Sequence, residues 1–161
     1  MKADSELTHL INGIRKERSL SPLTRNDRLD AAAEQHAAYM LQNRILSHSG
    51  RNNSSFDERI RNEGYAFTMA AENVAFGSRS AKSVLDLWMA DPPHRDNILN
   101  PAFTEIGIGV APALDSKNKE EERYWSLSLA TPLSSSPEET NDDTSPALEA
   151  EPVPDAPSPS Q

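Results

Sequence analysis

Glu105-Ile106-Gly107-Ile108-Gly109-Val110 alternates with a period of two, and so does Tyr124-Trp125-Ser126-Leu127-Ser128-Leu129. That period marks half-buried strands, and in the second it puts Trp125, Leu127 and Leu129 on one face. The charged stretch 115–123 joins them, so a hairpin is the natural pairing. Gly107 and Gly109 sit within a strand pattern and form no phosphate loop. Glycine there permits close backbone packing or a bulge.

Upstream the period changes to that of helices. Leu7, Leu10, Ile11 and Ile14 predict an amphipathic helix over 5–18. Residues 19–26, with Pro22, are a connector. Asn26 is the N-cap of a second helix reaching about Asn43, with Leu29, Ala32, Ala33, His36, Ala37, Met40 and Leu41 along one face. Ser55-Phe56-Asp57-Glu58 is a capping-box pattern and Gly64 a C-terminal stop, so a short third helix lies between them. Residues 69–76 read as extended. A fourth helix covers 81–90 with Val84, Leu87 and Trp88 inward, and Pro92-Pro93 ends it. Helices followed by a strand pair define an α+β chain.

The 161 residues suffice for one domain with a real core, placed at 1–131. Residues 132–161 hold seven prolines, six serines, seven acidic residues and no basic one, and are expected to be a disordered tail or linker. Of the chain's net charge of −9, the tail carries −7, which leaves the globular part near neutral. That balance lacks the basic footprint of a nucleic-acid binder. Cysteine is absent, which excludes disulfides, thiolate catalysis and cysteine-type zinc sites. No apolar signal core and no membrane-crossing run is visible, so the chain reads as cytosolic or as a mature form trimmed of its export signal.

Three short polar loops carry the candidate chemistry: His48 in Leu46-Ser47-His48-Ser49-Gly50, Glu72 in Ala71-Glu72-Asn73-Val74-Ala75, and His94 in Pro92-Pro93-His94-Arg95-Asp96. Each has an ordinary structural explanation. His48 can be a hydrogen-bonded loop histidine, Glu72 a salt-bridge partner of Arg95, and His94 a cap on the preceding helix. Asn73 reads as a structural loop residue, His36 as a satisfied core histidine and His9 as exposed. If the three loops converge, two imidazoles and a carboxylate suit zinc or another divalent cation, with His48, Glu72 and His94 as ligands. Without metal, Glu72 can orient one imidazole while the other faces a ligand. No His-Glu-x-x-His spacing and no Gly-x-Ser-x-Gly elbow is present, although Ser47 and Ser49 flank His48.

In this order, Leu46-Ser47-His48, Gly64-Tyr65, Ala71-Glu72-Asn73-Val74-Ala75, Trp88, Pro93-His94-Arg95-Asp96-Asn97-Ile98-Leu99 and Glu105-Ile106-Gly107-Ile108-Gly109-Val110 resemble the CAP superfamily. That superfamily comprises cysteine-rich secretory, antigen 5 and pathogenesis-related proteins, and the chain is most similar to its compact bacterial SCP-like branch. The resemblance spans about residues 7–131. It implies a three-layer α-β-α sandwich with a small antiparallel sheet, and a central cleft lined by His48, Glu72 and His94. It also places Asp91 where family members carry a further cleft acid, with Glu105 as a second-tier cleft residue. The family is typically secreted, which implies an extracellular or cell-envelope location, and some members bind divalent metals, sterols or other lipids.

Three functions follow. The first is an exported monomeric binding module whose cleft holds a divalent cation or a small or lipidic ligand. The second is a metal-assisted, peptidase-like hydrolase with Glu72 as base. The third is a non-catalytic interaction domain. Neither a nucleic-acid partner nor an integral membrane segment is expected.

Overall fold

The computed structural model describes residues 2–113 and 121–133. Its helices are α1 (Ala3–Glu17), α2 (Asp27–Asn43), α3 (Phe56–Asn62), α4 (Ala81–Met89) and α5 (Pro92–Ile98). Its strands are β1 (Thr24–Arg25), β2 (Phe67–Phe76), β3 (Glu105–Ala111) and β4 (Tyr124–Pro132), and a 3-10 turn spans Arg51–Asn53. The sheet order is β1-β3-β4-β2. The three long strands pair antiparallel, and the two-residue β1 adds to β3 in parallel. The tail assigned to 132–161 lies outside the described residues beyond Leu133, and most of the loop at 115–123 lies outside them too. Among the described residues no helix is long and apolar enough to cross a membrane.

Alternation along the strands sorts the core into two layers. Ile106, Ile108, Trp125, Leu127 and Leu129 pack with α1 and α4 through Leu7, Ile11, Val84, Leu85 and Trp88. On the opposite face Ala70 and Ala130 meet Leu29 and Ala32 of α2, and Val74 meets Met40. The sheet thus lies between helical layers, an α-β-α sandwich. α2 runs so close to β3 that a Cβ on Gly107 would stand 2.1 Å from the Leu29 carbonyl carbon, and one on Gly109 2.3 Å from the Ala33 carbonyl oxygen. The pairing of β3 with β4 is continuous from Glu105 to Ala111, so these glycines serve backbone approach and not a bulge.

Local signals place most element ends. The Asn26 side chain accepts from the Arg28 and Leu29 N–H groups, and Ser55 with Glu58 closes a capping box. Two expectations change. Leu87 is 50% exposed and Leu85 is buried in its place, because the inward stripe of α4 is Ala81, Val84, Leu85 and Trp88. Pro92 and Pro93 do more than stop α4. They open α5, since the first helical turn has no intrahelical use for the N–H that proline lacks.

Arg15 ties the first helix to the far end of the chain. It is fully buried, and its guanidinium donates to the carbonyls of Ser21, Ile98, Asn100 and Phe103 at 2.7 to 3.2 Å. Burial lowers its pKa, yet a guanidinium stays charged and is solvated here by peptide dipoles.

Candidate functional site

Glu72 projects from the middle of β2 toward the α2 face and is only 3% exposed. Its Oε1 lies 2.8 Å from His48 Nδ1, and its Oε2 accepts from Arg59 Nη2 at 2.7 Å. Burial alone would raise the carboxyl pKa. The His48 hydrogen bond and the Arg59 charge outweigh it and hold the group below its ordinary value, so it is an anion. The salt-bridge partner is therefore Arg59 of α3, not Arg95.

His48 reaches Glu72 because α2 ends in a left-handed residue, Arg44 at φ 54°, which turns the chain back over the helix end. His36 pins the returning loop: its Nε2 lies 2.6 Å from the Ser47 carbonyl oxygen. His36 is buried as expected of a core histidine, but its Nδ1 has no partner.

His94 stands in the first turn of α5, not beyond a helix end. Its Nδ1 is 2.7 Å from Asp91 Oδ2, a charge contact without hydrogen-bond alignment. Burial pushes the His94 pKa down and a positive charge on His48 would push it further, against the pull of Asp91. The two imidazoles are thus near enough to feel each other. Asn73 is fully buried and clamps α5 onto β2: its Nδ2 donates to the His94 carbonyl and its Oδ1 accepts from Asn97 Nδ2. Asn73 is a strand residue, so it serves no loop amides.

His48, Glu72, His94 and Asp91 therefore gather at the β2 edge of the sheet. Glu105 does not join them. It opens β3 and accepts from Tyr65 Oη at 2.6 Å, a bond that, after burial, raises the phenol pKa.

The expected zinc or divalent-cation site is overturned. Among the described residues no group of three or more His, Cys, Asp or Glu side chains is arranged to hold a metal ion. The reason lies in the partners. Both Glu72 oxygens are committed, one to an imidazole and one to a guanidinium, and the Arg59 charge sits where a cation would have to be held. His48, Glu72 and His94 are not a ligand set.

In each imidazole Nδ1 faces a carboxylate. In His48 the bond to the ionised Glu72 puts a proton on Nδ1, whereas the unaligned Asp91 contact assigns no tautomer to His94. Both Nε2 atoms are shielded from solvent and have no hydrogen-bond partner.

The sequence pattern does not mark Arg59, yet its guanidinium is what holds the buried Glu72 carboxylate. A basic residue beside buried Ile60 in a short helix carries no local mark of its partner, 13 residues away.

A pH dependence follows from His36. Burial pulls its pKa below the ordinary imidazole value, and the Arg59 charge adds to this against Glu72 and the Ser47 bond. The unfolded chain therefore binds the proton more readily. Stability is complete above about pH 6.5 and is lost as pH falls through the lower folded value. Thermal melts between pH 8 and 5 should show Tm falling over that window. His36→Gln should flatten that part of the curve, and an unchanged slope would refute the assignment.

A sandwich with one imidazole-lined site at its sheet edge defines a recognisable class of small domain. A model of the CAP family (cysteine-rich secretory protein family) matches residues 8–128, and the chain belongs to that family. The uncharacterized protein YkwD of Bacillus subtilis is 30% identical over 106 residues, which cover 66% of this chain and 41% of YkwD. An extracellular SCP-domain protein of Bacillus anthracis superposes with a TM-score of 0.71 at 23% identity, covering 80% of this chain and 40% of that one. An outer surface protein of Borrelia burgdorferi gives 0.70 at 21%, covering 83% and 98%. Proteins of this family are characteristically extracellular.

Proposed function

We propose that this chain is an extracellular, non-catalytic recognition domain, and that His48 and His94 are its reading groups. The observation that carries this reading is the pair of shielded, unpartnered Nε2 atoms. A buried polar nitrogen left unsatisfied costs about 1–3 kcal/mol. A ligand that brings hydrogen-bonding groups removes that cost, so the site favours a small hydroxyl, amine or amide group over a lipid tail. Glu72 orients the His48 ring. Glu72, already bonded to Arg59, is poorly placed to act as a free base, which argues against a hydrolase.

The test uses the imidazole nitrogen resonances of the full chain and a panel of small alcohols, amines and amides. Binders should shift the His48 and His94 Nε2 signals. Each of His48→Ala and His94→Ala should weaken binding by about 1 kcal/mol, roughly fivefold in Kd. Turnover of a peptide or ester panel that Glu72→Gln abolishes would overturn the reading.

A further inference from the structure

A cavity of about 160 Å³ opens beside Arg59 between α2, the 3-10 turn and α3. Its walls include His36, Tyr39, Arg51, Asn52, Arg59 and Asn62, and no carboxylate lines it. Glu63 is held by Gln35 instead. Arg51 has no carboxylate partner among the described residues, and its guanidinium is carried over the Tyr39 ring at 5.9 Å. Arg59 is 9% exposed. It spends Nη1 on Ser54 and one Nη2 hydrogen on Glu72, so two of its five N–H groups remain for a further acceptor. Asn52, at φ 56°, holds its left-handed backbone at the rim.

We propose that this cavity binds a phosphate-type oxyanion, free or as the headgroup of a phosphomonoester lipid. Two guanidiniums, three amides, a phenol and the His36 imidazole line it from three elements. A tetrahedral acceptor meets donors arriving from several walls better than a planar carboxylate does. The volume suits one such group. The site is distinct from the imidazole pair and does not rest on the function proposed above. Arg59 joins the two, since an oxyanion on its outer N–H groups draws on the same guanidinium that holds Glu72.

The test is a titration of the ¹⁵N-labelled full chain with inorganic phosphate, against sodium chloride at matched ionic strength. Saturable shifts are expected at the Asn52, Arg59 and Asn62 amides. Arg51→Ala, an exposed position, should keep its Tm and bind about tenfold more weakly. A second arm uses phosphatidylcholine vesicles with and without phosphatidic acid. Co-sedimentation that phosphate competes away assigns the oxyanion to a lipid, and phosphate binding without co-sedimentation assigns it to a soluble molecule. Either result upholds the site. Shifts that follow ionic strength alone, or saturable binding indifferent to Arg51→Ala, overturn it whatever the vesicles do.

Discussion

Gly107→Ala is expected to cost about 3 kcal/mol of stability, the upper end for overpacking a core. The added methyl would stand 2.1 Å from the Leu29 carbonyl carbon and 2.4 Å from the Asp30 nitrogen. Both are helix backbone, so no flexible side chain can swing aside. Relief requires α2 to lift from β3, and that opens the layer containing Leu29 and Ala32. Gly109→Ala meets the Ala33 carbonyl at 2.3 Å and should behave alike. Gly13→Ala is the control, because nothing stands within 4 Å of its new methyl and alanine favours a helix. Urea unfolding of the three variants checks this. A loss below about 1 kcal/mol at Gly107 would show that helix and strand can separate without penalty.

Arg59→Met should be the other severe substitution. It leaves a buried carboxylate with only His48 beside it, and breaking one side of a buried pair costs about 3–5 kcal/mol. Replacing both partners, as Arg59→Met with Glu72→Met, should recover much of that loss because no unpaired charge remains. The acid limb gives an independent readout. In the native protein the Glu72 pKa is depressed, so its contribution is whole above the unfolded value near 4.5 and is lost as pH falls through the folded one. Without Arg59 the folded pKa rises and the loss begins at higher pH. Equal acid limbs in the two proteins would rule out the ion pair as the cause.

Sequence patterning was most informative where a residue acts on its near neighbours. Asn26 and Ser55 announce helices because their side chains bond amides two or three positions on. Trp125, Leu127 and Leu129 announce a strand because alternation follows from the pleat. The same logic placed Val84 and Trp88 of α4 correctly but chose Leu87 over Leu85, since over nine residues several apolar stripes compete. The meeting of His48 with Glu72 is a matter of tertiary packing, and only the family pattern pointed to it. Arg59 escaped both routes, and Asn73 was legible as structural but not in its partners. Each makes its deciding bond to a residue remote in sequence, and neither type of side chain advertises such a bond. The metal expectation failed for the same reason: the residue types were right for a cation, but Arg59 occupies the Glu72 carboxylate.

The arginine at position 15 has a consequence for how the chain acquires its shape during synthesis. Its acceptors at 98, 100 and 103 emerge from the ribosome 83 to 88 residues later. Until they arrive, the amino-terminal helix has only the nearby Ser21 carbonyl for a cation that must end up dry. The central strands, β3 and β4, come later still. The nascent domain therefore completes its architecture almost in one step once β4 has been made, and the stretch before β3 waits as a loosely associated precursor.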